Sequence, residues 1–291
     1  MRVTLLHNPE AGEEEHRRDE LVSLLAAEGH DVRYRSTKEG LWEDVLKEPA
    51  DLVVAAGGDG TVVKVFKRLA GSDTPVTVLP AGSANNIARS LGFADVDLAE
   101  LVRTWPRART RRYDVGEATA GGERELFVEC MGAGLFGALL DRAEELAAEP
   151  QGDDKVELSL RLLAQLVDEA EPLSLAITLD GLDLSGEYLA VEAMNAQELG
   201  PNVSLAPRAD SSDGKLDLVL IAPGERALLA GYVAARLDGH DPDPPALTVH
   251  RGRRLRLEAS GEPNLHVDDD LWPGCRRVEA TVAAAVTVLG P

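Results

Sequence analysis

Cysteine is nearly absent: the chain of 291 residues has two, Cys130 and Cys275, with neither a metal-ligand spacing nor a disulfide framework. Cations are also scarce, with 30 Lys and Arg against 51 Asp and Glu and a net charge of −21. That balance repels polyanions, which argues against nucleic acid as a partner and against a general polybasic grip on anionic membranes. No apolar run approaches the ~18 residues a spanning helix needs, and no basic segment leads an apolar stretch at the start. A cytoplasmic, reduced protein is therefore expected. The six His residues (7, 16, 30, 240, 250 and 266) include no pair at helical metal spacing, which leaves zinc chemistry unsupported. There is no G-x-x-x-x-G-K-[ST] segment, no internal repeat and no low-complexity tail. What remains, 44% hydrophobic and 28% charged residues, is the composition of a globular protein long enough for two domains.

The most informative stretch is Asp51–Thr61, Asp-Leu-Val-Val-Ala-Ala-Gly-Gly-Asp-Gly-Thr. A β-branched apolar run stops at glycines, and helical spacing of Val62, Val63, Val65, Phe66 and Leu69 follows. Strand, glycine turn and helix in that order put open backbone N–H groups and a helix N-terminus at one point, which suits phosphate. Asp59 inside such a turn makes chemical sense as a holder of Mg²⁺; a tight turn with a capping Asp is the plainer alternative.

In chain order, strands are predicted at Val3–His7, Asp31–Arg35, Asp51–Ala56 and Pro75–Leu79, alternating with helices at Glu13–Glu28, Gly40–Lys47, Val62–Ala70 and up to Leu91. That alternation implies a parallel sheet, whose ligand crevice lies beyond the carboxyl ends of its strands. Three polar loops, at Asn8, Gly57 and Gly82, fall at those ends. After about Arg109 the texture changes to a hairpin around Gly121-Gly122, two helices (Leu135–Ala148 and Val156–Ala170) and then mostly strands. Two domains are expected, residues 1–108 and 109–291, with the cleft between them a natural place for a site.

Several motifs admit a plain reading. Gly132-Ala-Gly134-Leu-Phe-Gly137 fits a dinucleotide fingerprint with Asp153 and Asp154 downstream. Its neighbours look antiparallel, however, and glycines for close strand-to-helix packing are the preferred explanation. Cys130 is expected to be a buried structural thiol, and Trp42, Trp105 and Trp272 core or interface anchors. Asp210-Ser-Ser-Asp213-Gly-Lys215 reads as a turn into a strand. In Val267-Asp268-Asp269-Asp270, adjacent acids suit a solvated loop or a site equally.

Taken in order, these segments resemble the diacylglycerol kinase catalytic-domain family, bacterial soluble lipid kinases related to sphingosine kinases. The resemblance is carried by Asn8-Pro9-x-x-Gly12, Gly57-Gly58-Asp59-Gly60-Thr61, Leu79-Pro80-Ala81-Gly82-Ser83-Ala84-Asn85-Asn86, Asp114-Val115-Gly116, Asn195, Gly200-Pro201-Asn202, Asp213-Gly214-x-Leu216-Asp217 and Val267-Asp268-Asp269-Asp270. It implies an α/β N-terminal nucleotide-binding domain with a parallel sheet and a β-rich, sandwich-like second domain, the architecture shared by NAD kinase and diacylglycerol kinase. It also implies ATP- and Mg²⁺-dependent transfer to a lipid hydroxyl at a membrane surface, with diacylglycerol the first acceptor to try.

By the resemblance, Asn8, Pro9, Gly12, Gly57, Gly58, Asp59, Gly60, Thr61, Gly82, Ser83, Asn85 and Asn86 would line the nucleotide. Asp268 would be the general base and Asp270 would stand in for a supporting Glu, while Asp59 and Asp114 would join the network about the metal. Asp213 would offer its side chain to a second, structural cation, with carbonyls from Asp210 and Lys215. Three departures from the family pattern are Asn86 for Asp, Ser83 for Thr and Asp269 for Gly. The competing expectations are a NAD-kinase-like phosphotransferase and a catalytically weakened nucleotide- or lipid-binding regulator. The assembly, a homodimer included, and transient membrane contact stay open.

Overall fold

The computed structural model describes residues 1–11, 18–93, 96–145 and 153–290. The chain divides into two compact units, Met1–Tyr113 with Ala284–Pro291, and Asp114–Ala283. The change of texture near residue 109 marks the start of a long strand, and the unit boundary falls after its fifth residue, Tyr113.

In the first unit, strands β1 (Arg2–His7), β2 (Asp31–Ser36), β3 (Leu52–Gly57) and β4 (Val76–Pro80) form a parallel sheet in the order β2-β1-β3-β4. Every residue of β3 is buried, as an apolar run without alternation demands when both faces are covered. The helices are α1 (Arg18–Ala27), α2 (Asp59–Leu69), α3 (Asn86–Ser90) and α4 (Leu98–Thr104), and the predicted helix at Gly40–Lys47 is a 3-10 segment over Trp42–Lys47. The start of the helix predicted from Glu13 lies outside the described residues. Helix α2 buries Val62, Val63, Val65, Phe66 and Leu69, each contributing about 1.5–3 kcal/mol relative to exposure.

The second unit is a β-sandwich, as expected. After β5 (Arg109–Ala120), β6 (Glu123–Phe127), β7 (Cys130–Gly134), α5 (Leu135–Glu145) and α6 (Asp153–Glu169) come β8 (Leu173–Leu179) and the short β9 (Leu182–Asp183). Then follow β10 (Gly186–Tyr188), β11 (Ala190–Met194), the small pair β12 (Glu198–Leu199) and β13 (Val203–Ser204), β14 (Leu216–Ile221) and α7 (Arg226–Leu237). The last strands are β15 (Thr248–Gly252), β16 (Arg254–Ala259), β17 (His266–Val267), β18 (Asp270–Leu271) and β19 (Arg277–Gly290). The run Gly186–Asn195, read as one strand, breaks at Leu189: β10 pairs with β8, whereas β11 sits between β14 and β7 in the other sheet.

That other sheet has the order β15-β14-β11-β7-β17-β18 and is antiparallel throughout. Alternation along its strands separates two cores. Met131, Ala133, Val191, Ala193, Leu216 and Leu218 face Leu175, Ile177, Leu255 and Leu257 of the opposing sheet. Cys130, Ala190, Met194, Val219 and Ile221 face Leu135, Leu139, Leu163 and Val233 of the helices. No helix among the described residues is long and apolar enough to cross a membrane.

Candidate active site

Three loops of the first unit meet at the carboxyl ends of β1, β3 and β4, because the parallel register sets His7 beside Ala56 and Gly57 beside Pro80. Asn8 donates its N–H to the Ala56 carbonyl at 3.0 Å, and its side chain accepts from the Glu10 amide. The Gly57 carbonyl accepts from the Ala81 amide at 3.1 Å. The closest approach is backbone on backbone: a Cβ at Gly82 would stand 2.3 Å from the Gly58 Cα, and one at Gly58 would stand 3.1 Å from the Gly82 Cα. Only glycine permits this seam.

Asp59, the first residue of α2, reaches across the seam. Its carboxylate accepts from the Asn86 amide at 3.0 Å and the Ile87 amide at 2.9 Å. Asn85 holds a left-handed backbone with φ of 55°, which Asn tolerates. Its side chain folds back on Gly82, accepting from the N–H at 3.0 Å and donating to the carbonyl at 2.6 Å. Gly60 is exposed, Ser83 half-buried and Thr61 buried beside Gly57, while Pro9 is exposed. Gly12 lies outside the described residues.

In the second unit a different construction joins the predicted acids. Asp114 is buried, and its carboxylate accepts from the Gly214 amide at 2.7 Å while its own N–H donates to the Ser211 carbonyl. Asn195 donates to the carbonyls of Asp114 at 2.7 Å and Val128 at 2.8 Å. The chain continues to Asp268, whose carboxylate accepts from the amides of Val128 at 3.0 Å, Glu129 at 2.8 Å and Cys130 at 3.3 Å. Three consecutive N–H groups aimed at one carboxylate form an anion nest. Asp268 occupies the hairpin turn between β17 and β18 with φ of 51°. Asp269 and Asp270 in the same hairpin are exposed.

A family model described as the diacylglycerol kinase catalytic domain matches residues 2–118. A second, described as the YegS C-terminal NAD kinase beta sandwich-like domain, matches residues 143–289. The chain belongs to the diacylglycerol kinase catalytic-domain family of lipid kinases. It is 30% identical over 288 residues to a Pseudomonas fluorescens protein named "Probable lipid kinase YegS-like", covering 90% of this chain and 88% of that one. It is 24% identical over 277 residues to a Mycobacterium tuberculosis protein named "Diacylglycerol kinase", covering 95% of this chain and 86% of that one. A crystal structure of a diacylglycerol kinase from Bacillus anthracis superposes with a TM-score of 0.69 at 20% identity, over 100% of this chain and 97% of that chain, a likeness of fold.

The two cation sites expected of a family member differ in fit. Asp59, in the first unit, offers the hard oxygen donors that Mg²⁺ takes. The 210–215 turn fits a second cation poorly, because a guanidinium already stands there. Arg251 of β15 bonds the Asp213 carboxylate and lies 3.3 Å from Asp217. Asp213 also accepts from the Lys215 amide, and the Asp210 side chain accepts from Ser212. Burial pushes the Asp217 carboxyl up to about 6, against the pull of Arg251.

The fingerprint at Gly132–Gly137 is packing in this lipid kinase. Strand β7 is antiparallel to both its neighbours, and a Cβ at Gly134 or Gly137 would strike the carbonyls of Leu189 at 2.3 Å and Asn264 at 1.8 Å. Cys130 is buried and its thiol is pushed well up by burial, as a structural thiol should be.

Sequence reasoning missed Glu192 and His266. Each is a single ionisable residue inside an apolar strand (Ala190-Val-Glu-Ala-Met194 and Leu265-His-Val267), which is the signal that marks them. Both are buried, with exposures of 0% and 1%, and His266 Nε2 lies 3.1 Å from Glu192 Oε2.

Proposed function

We propose that this lipid kinase transfers the γ-phosphoryl group of ATP, in a Mg²⁺-dependent reaction, to the hydroxyl of a lipid, with diacylglycerol the first candidate acceptor. The observation that carries the reading is the Gly58–Gly82 seam. Two turns at the strand ends lie so close that neither has room for a side chain, which leaves backbone N–H groups and the start of α2 to face an anion. An acidic protein that handles a polyphosphate needs such a cradle, since it offers few cations.

In this reading Asn8, Gly57, Gly58, Gly60, Gly82 and Ser83 bind the phosphates, while Asp59 and Asn85 fix the shape of the two turns. Asp59 would offer carboxylate oxygens to Mg²⁺, which would supply charge that offsets the phosphates when bound. Asp268 takes the proton from the acceptor hydroxyl, as a carboxylate base does, contributing about 10²–10⁴-fold. Its nest of three amides keeps the carboxylate aimed before the acceptor arrives. Asp270, exposed on the same hairpin, helps to position the acceptor.

The test is a transfer assay with γ-labelled ATP and Mg²⁺ against diacylglycerol, other lipid alcohols and NAD, in separate reactions. Label in diacylglycerol or another lipid alcohol is the expected result. Label in NAD, or nucleotide binding with no transfer to any lipid, would overturn the reading.

A further inference from the structure

We propose that Glu192 and His266 form a buried pair sharing one proton and that the pair positions Asp268; the positioning part rests on the role given to Asp268 above. The geometry starts from sheet register. Glu192 of β11 and His266 of β17 both sit opposite Gly132 of β7, one on each side, and on the same face of the sheet. Strands on either side of a third are normally kept apart by its side chain. Here a Cβ at Gly132 would lie 1.9 Å from Glu192 Oε2, so the glycine is the gap through which carboxyl and imidazole meet.

The hydrogen-bond partners dictate where protons sit. His266 Nδ1 lies 3.0 Å from the Asp268 carbonyl oxygen. A carbonyl only accepts, so Nδ1 carries a hydrogen. Nε2 faces both Glu192 oxygens, at 3.2 and 3.1 Å. One further proton must lie on that line, whether on nitrogen or on oxygen, because a bare carboxylate facing a bare Nε2 in a dry site is repulsive. Burial raises the Glu192 carboxyl against the pull of His266. Burial alone would lower the His266 imidazole, but the charge and hydrogen bond of Glu192, together with the carbonyl and charge of Asp268, outweigh it and raise it. Both directions describe one proton that the pair is slow to give up. Among the described residues the Cys130 thiol lies beside both members of the pair and the Asp268 carboxylate acts on His266, while Glu129 and Asp269 act on Cys130.

The pair reaches Asp268 through the carbonyl. Asp268 is held at both ends, its carboxylate by the amides of Val128, Glu129 and Cys130 and its carbonyl by His266. The carbonyl contact pins the left-handed turn, and the turn aims the carboxylate. Glu192 fixes the ring that makes the contact, so Glu192 and His266 are positioning residues. The Cys130 sulfur and the ligand atoms of both residues lie within 4.8 Å of one another. A direct Glu–His bond and a thiol kept protonated by burial describe a proton site rather than a metal site.

Two measurements test the proposal on the full chain. Nitrogen-15 NMR of the histidine side chains, which needs no activity, is expected to show His266 with Nδ1 protonated and no titration at the ordinary imidazole value of 6.5. Nδ1 without hydrogen, ordinary titration, or stoichiometric zinc in the purified protein by mass spectrometry would overturn the shared proton. For positioning, His266→Phe is expected to lower kcat about 10–100-fold with KM for ATP unchanged, as small misplacements do. Glu192→Gln, which can still donate to Nε2 and hold the ring, should lose much less kcat than His266→Phe and shift its pH profile. Equal loss in both variants, or a matched change in kcat and KM, would overturn positioning. If wild type phosphorylates no lipid, the functional reading fails, while the NMR result still decides the proton.

Discussion

The turn at Gly57–Gly60 and the run Gly132–Gly137 both use glycine for close approach, but what approaches differs. At Gly58 the neighbour is another backbone, that of Gly82. Two turns so joined keep their N–H groups at the open ends of parallel strands. At Gly132 and Gly134, on a strand inside an antiparallel sheet, the neighbours are the Glu192 carboxylate and the Leu189 carbonyl, and at Gly137, in the helix that follows, the Asn264 carbonyl. A glycine motif therefore names a chemistry only together with the strand direction around it.

Substitutions that refill these spaces sharpen the contrast. Gly132→Ala is expected to have the largest effect, because the new Cβ must push Glu192 off His266 and strand both groups in the core. Breaking a buried pair costs about 3–5 kcal/mol, which a urea unfolding midpoint would register. Gly82→Ala drives a Cβ into the Gly58 backbone. A loss of about 1–3 kcal/mol from overpacking should accompany a loss of ATP affinity larger than the loss of stability, measured by calorimetry. Gly132→Ala should leave ATP affinity in the folded fraction unchanged, and the reverse pattern would erase the distinction.

The pair in the second unit also predicts a pH effect. Its native proton is retained above the ordinary imidazole value of 6.5, where the unfolded imidazole has released it. The stability it contributes is whole below that value and is lost as pH rises through the pair's own higher pKa. Unfolding midpoints across that window should fall in wild type relative to a Glu192→Leu/His266→Leu double variant. Parallel curves would contradict the assignment.

The smallest effect concerns the 210–215 turn. With Arg251 bonded to Asp213 and near Asp217, the wild-type Tm should be unmoved by EDTA. Arg251→Met should gain a few degrees when millimolar Mg²⁺ or Ca²⁺ is added. A wild-type Tm that drops on chelation would show that a cation, not the guanidinium, holds the turn.

What could be read from sequence was what is local. The strand-turn-helix at Asp51–Leu69 declares itself within some twenty residues, through an apolar run, glycines and helical spacing. The break at Leu189 was invisible, because it depends on which sheet each half of the segment joins. So was the row Glu192–Gly132–His266, whose members come from three strands far apart in the chain and meet only through register. The Arg251–Asp213 contact is hidden for the same reason. Asp59 was legible as a residue of the turn, but not its bonds to Asn86 and Ile87, which depend on the pairing of β3 with β4.

The most direct test is Asp268→Asn, measured for ATP binding by calorimetry and for transfer of label from γ-labelled ATP to diacylglycerol. The account predicts ATP affinity equal to wild type and transfer lower by about 10²–10⁴-fold. Transfer at the wild-type rate would contradict it.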